Sequence, residues 1–498
     1  MKINNLRLGF ATNSSSTHSI VFIKGVEDKY EKGEYGWGNF TLASKEAKIS
    51  YLAQLLFQNL RPNMSEDMAN IIIKNLLGTK AKPNGHIDHQ SLFTLPQDWD
   101  KPSINLEFFK DFKQFLLKDG IVVLGGNDNT TKKHPLLKKS VPIHMFGYVS
   151  VFDNIPTKFK IIGDTSGKIV AKKEGDTWVV FNRKNGNKAR ITFTNTPKPY
   201  LKSSVPELVD IKITDKCSKN CAYCYQNSTN TGQHANTDWI GSLAYKMGQL
   251  GVFEVACGGG ETTEHPDFLK ILKTFGYYNV VPNFTTGTLK WLGRKDAAEI
   301  INSIGAFAFS VQNAKNVVAL FNAIKTESVT KKRVPGEIFQ KATIQYVMGS
   351  TPLGEFKKIL EKSSEYGFPI TLLGFKTTGR GAEFKPYDYS GWLNVVKSVT
   401  EKSGQIKIGI DTAIAAQYEE QLNKLGIPNL LYTTKEGAYS MYIDAVNQTM
   451  APSSYASPDK TIPCNPYRFN EGFEKMEPYS PASIKTEINT SAKINRKK

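Results

Sequence analysis

From Leu208 to about Leu425 short apolar runs alternate with longer amphipathic ones, and this alternation restricts the fold more than any other feature. The strand-like runs are Leu208–Ile213, Val252–Ala256, Val280–Phe284, Ala306–Val311, Ala342–Val347, Ile370–Phe375 and Ile406–Asp411. Helix-period segments separate them, for example around Asp238–Leu250 and Asp267–Phe275. Strands joined through helices do not pair as hairpins; they pair in parallel through right-handed crossovers. The expected class is therefore α/β, a partial (β/α)6-type TIM barrel over residues 206–425. In such a barrel the chemistry sits at the C-terminal strand ends.

The flanks read differently. Residues 1–140 mix a Ser-rich start, a strand-like His18–Lys24 and helical stretches at Lys45–Asn59 and Glu66–Leu77, an α+β region. Over 141–200 the pattern turns to short strands (Lys168–Lys172, Trp178–Asn182, Arg190–Thr194) with Gly-Asp and Asn-Gly turns, a small β-rich unit. Pro197, Pro199 and Pro206 mark a linker to the barrel. After it, 426–480 forms a C-terminal extension with a strand at Ala438–Ile443, and 481–498 is a basic tail of low apolar content, expected to be disordered.

The formal charge is +18. Charge of that size attracts polyanions, so RNA or another nucleic acid is one candidate partner. A lysine-rich solvated surface explains it equally simply, since the basic residues form no single stripe. No apolar run reaches the roughly 18 residues that a membrane helix needs, and the polar N-terminus lacks a signal core. A soluble, cytoplasmic protein with no membrane partner is the expectation.

Five cysteines in 498 residues do not make a disulfide scaffold. Three of them fall together in Cys217-Ser-Lys-Asn-Cys221-Ala-Tyr223-Cys224. A cubane iron–sulfur cluster is normally held by four thiolates. Three leave one iron open to a small molecule. Zinc is the physical competitor: a Cys3His site would recruit His234, and the chain would then be a zinc- or cluster-stabilised binding protein without turnover. A second feature follows the next strand, Cys257-Gly258-Gly259-Gly260-Glu261. Its glycines allow close backbone approach, and a carboxylate can pair with an ammonium.

Thr214-Asp-Lys-Cys217-Ser-Lys-Asn-Cys221-Ala-Tyr223-Cys224 resembles the Cys-x3-Cys-x2-Cys signature of the radical S-adenosylmethionine (SAM) superfamily, including the aromatic residue before the third cysteine. Gly258-Gly259-Gly260-Glu261 is similar to that family's Gly-Gly-Glu turn, with Thr262 where proline is common. The resemblance implies one [4Fe–4S] cluster on Cys217, Cys221 and Cys224. It further implies SAM bound near Tyr223, the three glycines and Glu261. In the family, one-electron reduction splits SAM to a 5′-deoxyadenosyl radical that abstracts a hydrogen atom from the substrate. Asn283-Phe-Thr285-Thr286-Gly287 looks like the turn after the third strand, Ser310 ends the fourth near the expected ribose, and Arg380 is a candidate for the SAM carboxylate.

The stretch around Ser440–Ala445 and Ala451-Pro-Ser453-Ser454-Tyr resembles the C-terminal extension of peptide-modifying members, the SPASM/Twitch type. Serines stand where auxiliary-cluster cysteines are expected, and Cys464 is alone, so no auxiliary cluster is expected. A radical SAM oxidoreductase acting on a peptide or protein is the leading expectation, with RNA modification as the alternative. A reducing partner of flavodoxin or ferredoxin type follows from the chemistry. Cys257 reads as core, His86 and His89 as weak metal candidates, and the serine run after Gly9 as a flexible or strand-entry segment.

Overall fold

In the computed structural model the described residues are 27–82, 84–88, 92, 95–100, 103–118, 121–126, 169–194, 198–326, 335–403, 406–425, 427 and 432–481, with four strands, Lys2–Arg7, Thr17–Phe22, Val141–Ile143 and Lys158–Ile161. The basic tail past 481, His89 and the serine run after Gly9 lie outside them. The chain divides into two compact units, Met1–Tyr200 and Leu201–Lys498. No helix among the described residues is long and apolar enough to cross a membrane.

The first unit contains two five-stranded sheets. One runs Lys2–Arg7, Lys188–Thr192, Thr177–Asn182, Ile169–Glu174, Gln97–Asp98; the other runs Phe40–Leu42, Ile121–Gly126, Thr17–Phe22, Lys158–Ile161, Val141–Ile143. Helices Lys45–Leu60, Glu66–Leu77 and Leu106–Leu116 start on the side-chain caps Ser44, Ser65 and Asn105. The sequence reading set 141–200 apart as a unit of its own. Its strands instead complete sheets begun by earlier strands, Lys188–Thr192 against Lys2–Arg7 and Lys158–Ile161 against Thr17–Phe22. Hairpin signals fix local turns; they do not reveal which distant strand supplies the open edge.

The second unit carries the alternation. Its strands are β1 (Leu208–Thr214), β2 (Glu254–Gly259), β3 (Val281–Thr286), β4 (Phe307–Ser310), β5 (Ala342–Val347), β6 (Ile370–Leu373), β7 (Ile408–Ile410), β8 (Ser440–Asp444), β9 (Thr449–Ala451) and β10 (Ile462–Pro463). They form one ten-stranded sheet in the order β7-β6-β5-β4-β3-β2-β1-β8-β9-β10. All pairs from β7 across to β8 are parallel, and β9 and β10 add antiparallel. The sheet has two free ends among the described residues, an open arc rather than a closed barrel. The seven strand-like runs read from the sequence form β1 to β7, and β8, from the C-terminal extension, pairs directly with β1.

Side chains alternate across this arc. One face is apolar and buried: Val209, Ile211 and Ile213, then Val255 and Cys257, Phe284, Phe307 and Phe309, Ile344, Ile370 and Leu372. Helices such as Thr237–Leu250, capped by Asn236 and closed by left-handed Gly251, cover it. Each such side chain contributes roughly 2 kcal/mol of burial. The other face is polar and reached by solvent: Asp210, Asn283, Thr285, Ser310, Gln345, Thr371 and Tyr442. Parallel sheets ordinarily bury both faces in apolar packing. A polar inner face therefore marks a chamber.

Candidate active site at the C-terminal strand ends

The cysteine loop leaves the C-terminal end of β1 and folds back on itself. Cys217 N–H donates to Thr229 O at 2.7 Å, and Cys224 N–H donates to Cys221 O at 3.2 Å. Asn220 and Asn227 take left-handed conformations (φ 47° and 55°), which asparagine tolerates better than most residues. All three cysteines are half-buried free thiols. Burial pushes the thiols of Cys217 and Cys221 up, while the charges of Lys219 and Arg380 pull Cys221 back.

The turn after β2 packs directly onto this loop. Gly260 N–H donates to Thr214 O at 2.7 Å and Glu261 N–H to Lys216 O at 2.8 Å. A Cβ on Gly260 would lie 2.1 Å from Lys216 O, and one on Gly259 (φ +114°) 2.4 Å from Thr214 O. Only glycine permits that approach. Gly258, by contrast, faces open space.

Glu261 departs from expectation. Its carboxylate is buried and turned inward, accepting from Thr263 Oγ1 at 2.6 Å, Thr286 Oγ1 at 2.7 Å and Gly287 N–H at 2.8 Å. It ties the second turn to the third, and the surface left to meet a ligand is the glycine backbone. Thr285 faces the chamber, and its carbonyl accepts from Thr262 Oγ1 at 2.9 Å. Ser310 donates to Gln345 Oε1 at 3.3 Å.

Arg380 also differs. It lies in the turn after β6, and its guanidinium donates to Cys221 O (Nε, 3.0 Å), Asn227 Oδ1 (Nη1, 3.1 Å) and Ser228 O (Nη2, 2.9 Å). Its own N–H donates to Cys224 O at 3.0 Å. Gly379 (φ +52°) passes so close that a Cβ would meet Tyr225 O at 2.5 Å. Arg380 braces the cysteine loop rather than standing open for a carboxylate.

Tyr223 packs edge-on against Phe384, with ring centroids 5.7 Å apart. Gln312 Nε2 donates to Tyr223 Oη at 3.0 Å and approaches Cys221 Sγ at 3.6 Å. Sequence reasoning missed Gln312. Its place two residues past the end of a barrel strand was the available signal.

The donor set, three thiols on one loop, is the one a [4Fe–4S] cluster with one open iron would use, and no fourth ligand joins them among the described residues. Zinc fits less well. His234, the proposed fourth ligand, has Nδ1 2.8 Å from Thr214 Oγ1 and its ring against His265. Among the described residues no three His, Cys, Asp or Glu side chains converge as one metal ion needs. Cys257 and Cys464 both lie in the apolar core, their thiols pushed up to about 12 by burial. His86 is exposed on its short strand.

No family model matches the chain. It is similar to the mycofactocin maturase MftC of Mycobacterium ulcerans (strain Agy99), 22% identical over 180 residues, which cover 34% of this chain and 48% of the relative. The chain thus spans about half the length of the curated relative it matches. Among solved structures it is similar to Streptococcus suis SuiB bound to S-adenosylmethionine (14% identity, TM-score 0.43, 57% of this chain and 81% of that one). It is also similar to SuiB bound to its precursor peptide SuiA (13% identity, TM-score 0.47, 62% and 90%). The cysteine loop and the Gly-Gly-Gly-Glu turn packed on it both lie at the C-terminal end of the parallel sheet.

Proposed function

We propose that the chain is a radical SAM enzyme holding one [4Fe–4S] cluster on Cys217, Cys221 and Cys224 and modifying a peptide or protein substrate. The observation that carries this reading is the locking of the cysteine loop to the glycine turn, Gly260 N–H on Thr214 O, at the mouth of a polar chamber. When bound, the cluster and SAM supply one-electron reductive cleavage to a 5′-deoxyadenosyl radical, which abstracts hydrogen. The chain's own residues orient and shield. Gly258–Gly260 present backbone to the SAM methionine moiety, and Arg380 and Glu261 fix the two turns. Thr285 and Ser310 line the chamber on the nucleoside side. A one-electron donor of flavodoxin or ferredoxin type completes the cycle.

A peptide substrate is supported by the likeness to a maturase and by the serine-bearing extension around Ser453 that resembles those of peptide-modifying enzymes. The test is 5′-deoxyadenosine formation by anaerobically reconstituted protein with SAM and dithionite. Production only in the chain that retains Cys217, Cys221 and Cys224, against their triple alanine replacement, is expected. Purified protein that carries zinc and assembles no iron would sink the proposal.

A further inference from the structure

Beneath the cysteine loop the chamber holds an uneven set of charges. Lys376 Nζ lies 4.9 Å from the ring centre of Tyr225 and 4.8 Å from that of Tyr455, with Asp411 Oδ2 at 3.8 Å. Glu436 accepts from Tyr455 Oη at 2.8 Å. Asp210 projects from the inner face of β1, and no hydrogen bond or ion pair from another described residue reaches its carboxylate. It is exposed to solvent on the inner face of the sheet, with enough protein around it to disfavour its charge. The neighbouring Lys212 is no counter-charge, because Asp215 at 2.8 Å and Asp444 at 2.6 Å already claim it.

Three carboxylates, Asp210, Asp411 and Glu436, thus feel the charge of one ammonium, which only Asp411 pairs with directly, in a chain whose overall charge is +18. The imbalance is local and opposite in sign to the molecule. Burial pushes the carboxyl of Asp210 up to about 6, with Glu254 adding to the rise and Lys376 opposing it. Burial likewise takes Glu436 to about 7, where Asp210 and Asp411 raise it and Tyr455 and Lys376 lower it. Confined like charges resist ionisation until a cation arrives. The chamber already solvates one ammonium with tyrosine faces and carboxylates, the pairing that suits a second.

We infer that the inner face of the sheet binds a positively charged side chain of the substrate, of lysine or arginine type, against Asp210 and Glu436. This rests on the reading in which the chamber receives a peptide. It also separates that reading from a nucleic-acid substrate, whose phosphates these carboxylates would repel.

The experiment uses the full, anaerobically reconstituted chain and fluorescein-labelled hexapeptides of alanine with one central lysine, norleucine or glutamate. Binding is read by anisotropy. The lysine peptide should bind about tenfold more tightly than the norleucine one, and the glutamate peptide least. Asp210→Asn with Glu436→Gln should bring the lysine-to-norleucine ratio towards one, iron content and unfolding midpoint confirming its fold. Equal affinities of the unaltered chain for lysine and norleucine peptides, or a preference for glutamate or for a uridylate hexamer, would overturn the inference. Formation of 5′-deoxyadenosine beside equal affinities would keep the proposed function and lose this inference. A lysine preference without 5′-deoxyadenosine would do the reverse.

Discussion

The guanidinium Nε of Arg380 donates to the carbonyl oxygen of Cys221 at 3.0 Å, so a turn at the end of the sixth parallel strand holds a loop that leaves the first. Two further bonds, to Asn227 Oδ1 and Ser228 O, make the contact three-pronged. A planar, permanently charged fork suits carbonyls arranged in this way, and lysine cannot reproduce it. Arg380→Ala should lower iron per chain after reconstitution by half or more, and Arg380→Lys should recover only part. Iron analysis of the reconstituted variants is the measurement. Full loading of Arg380→Ala would show that the loop needs no brace.

Glu261 makes a parallel case. Its carboxylate accepts from two buried threonine hydroxyls and a part-buried backbone N–H within 2.8 Å. Gln at this position offers one acceptor oxygen and turns an NH2 group towards existing donors. Leaving buried donors unsatisfied costs about 1–3 kcal/mol. Glu261→Gln should therefore lose about 2 kcal/mol in denaturant unfolding and also weaken SAM binding, because the glycine turn shifts with it. Weakened SAM binding at unchanged stability would instead indicate direct contact of the carboxylate with the ligand.

Much of this was legible in the sequence because periodicity reports local burial. The alternation from Leu208 gave the parallel sheet, and the spacing of Cys217, Cys221 and Cys224 gave the rim loop. The roles of Glu261 and Arg380 were not legible. Residue type announces a charge, whereas its direction depends on which donors the neighbouring turns bring near. Asp210 was within reach. Asp210 and Lys212, at alternate positions among the apolar residues of Leu208–Ile213, signal an inner face that is not apolar. The extra strand Ser440–Asp444 was recognised as a strand, yet its partner, β1, is more than two hundred residues earlier. Pairing over that distance leaves no periodic trace.

The raised carboxyl of Asp210 has a consequence for stability against pH. Its folded value is about 6 against an ordinary 3.8, so the native state binds more protons than the unfolded chain between those values. Stability falls as pH rises through that window and levels off above it. Asp210→Asn removes the charge that the chamber resists. It should stabilise the protein at pH 8 by about 1 kcal/mol, the full shift being discounted for the solvent that reaches this side chain, and change little at pH 4. Thermal unfolding at the two pH values checks this. Equal effects at both would show that the charge is not the source.

Lys212 presents the opposite sign. Its ammonium is 8% exposed and lies 2.8 Å from Asp215 and 2.6 Å from Asp444. Burial opposes its charge, but the two carboxylates prevail and hold its pKa above the usual lysine value. The stability it contributes is complete below the unfolded lysine value near 10.5 and is lost as pH rises through the higher folded one. Asp215 lies two residues before Cys217, and Asp444 ends the strand that the C-terminal extension adds, so this one ammonium joins β8 to the base of the cysteine loop. Removing one member of a buried charge network costs about 3–5 kcal/mol, because the remaining charges stay buried and unpaired. Lys212→Met should lose stability of about that size. Lys212→Met with Asp444→Asn should regain part of it, since Asp444 also accepts from Val446 N–H and Asn447 N–H at 3.0 Å and an amide oxygen can keep those bonds. Denaturant unfolding of the single and double variants measures the coupling. If the double variant is no more stable than the single one, Asp444 is held by its own turn, and the ammonium serves the cysteine loop through Asp215 alone.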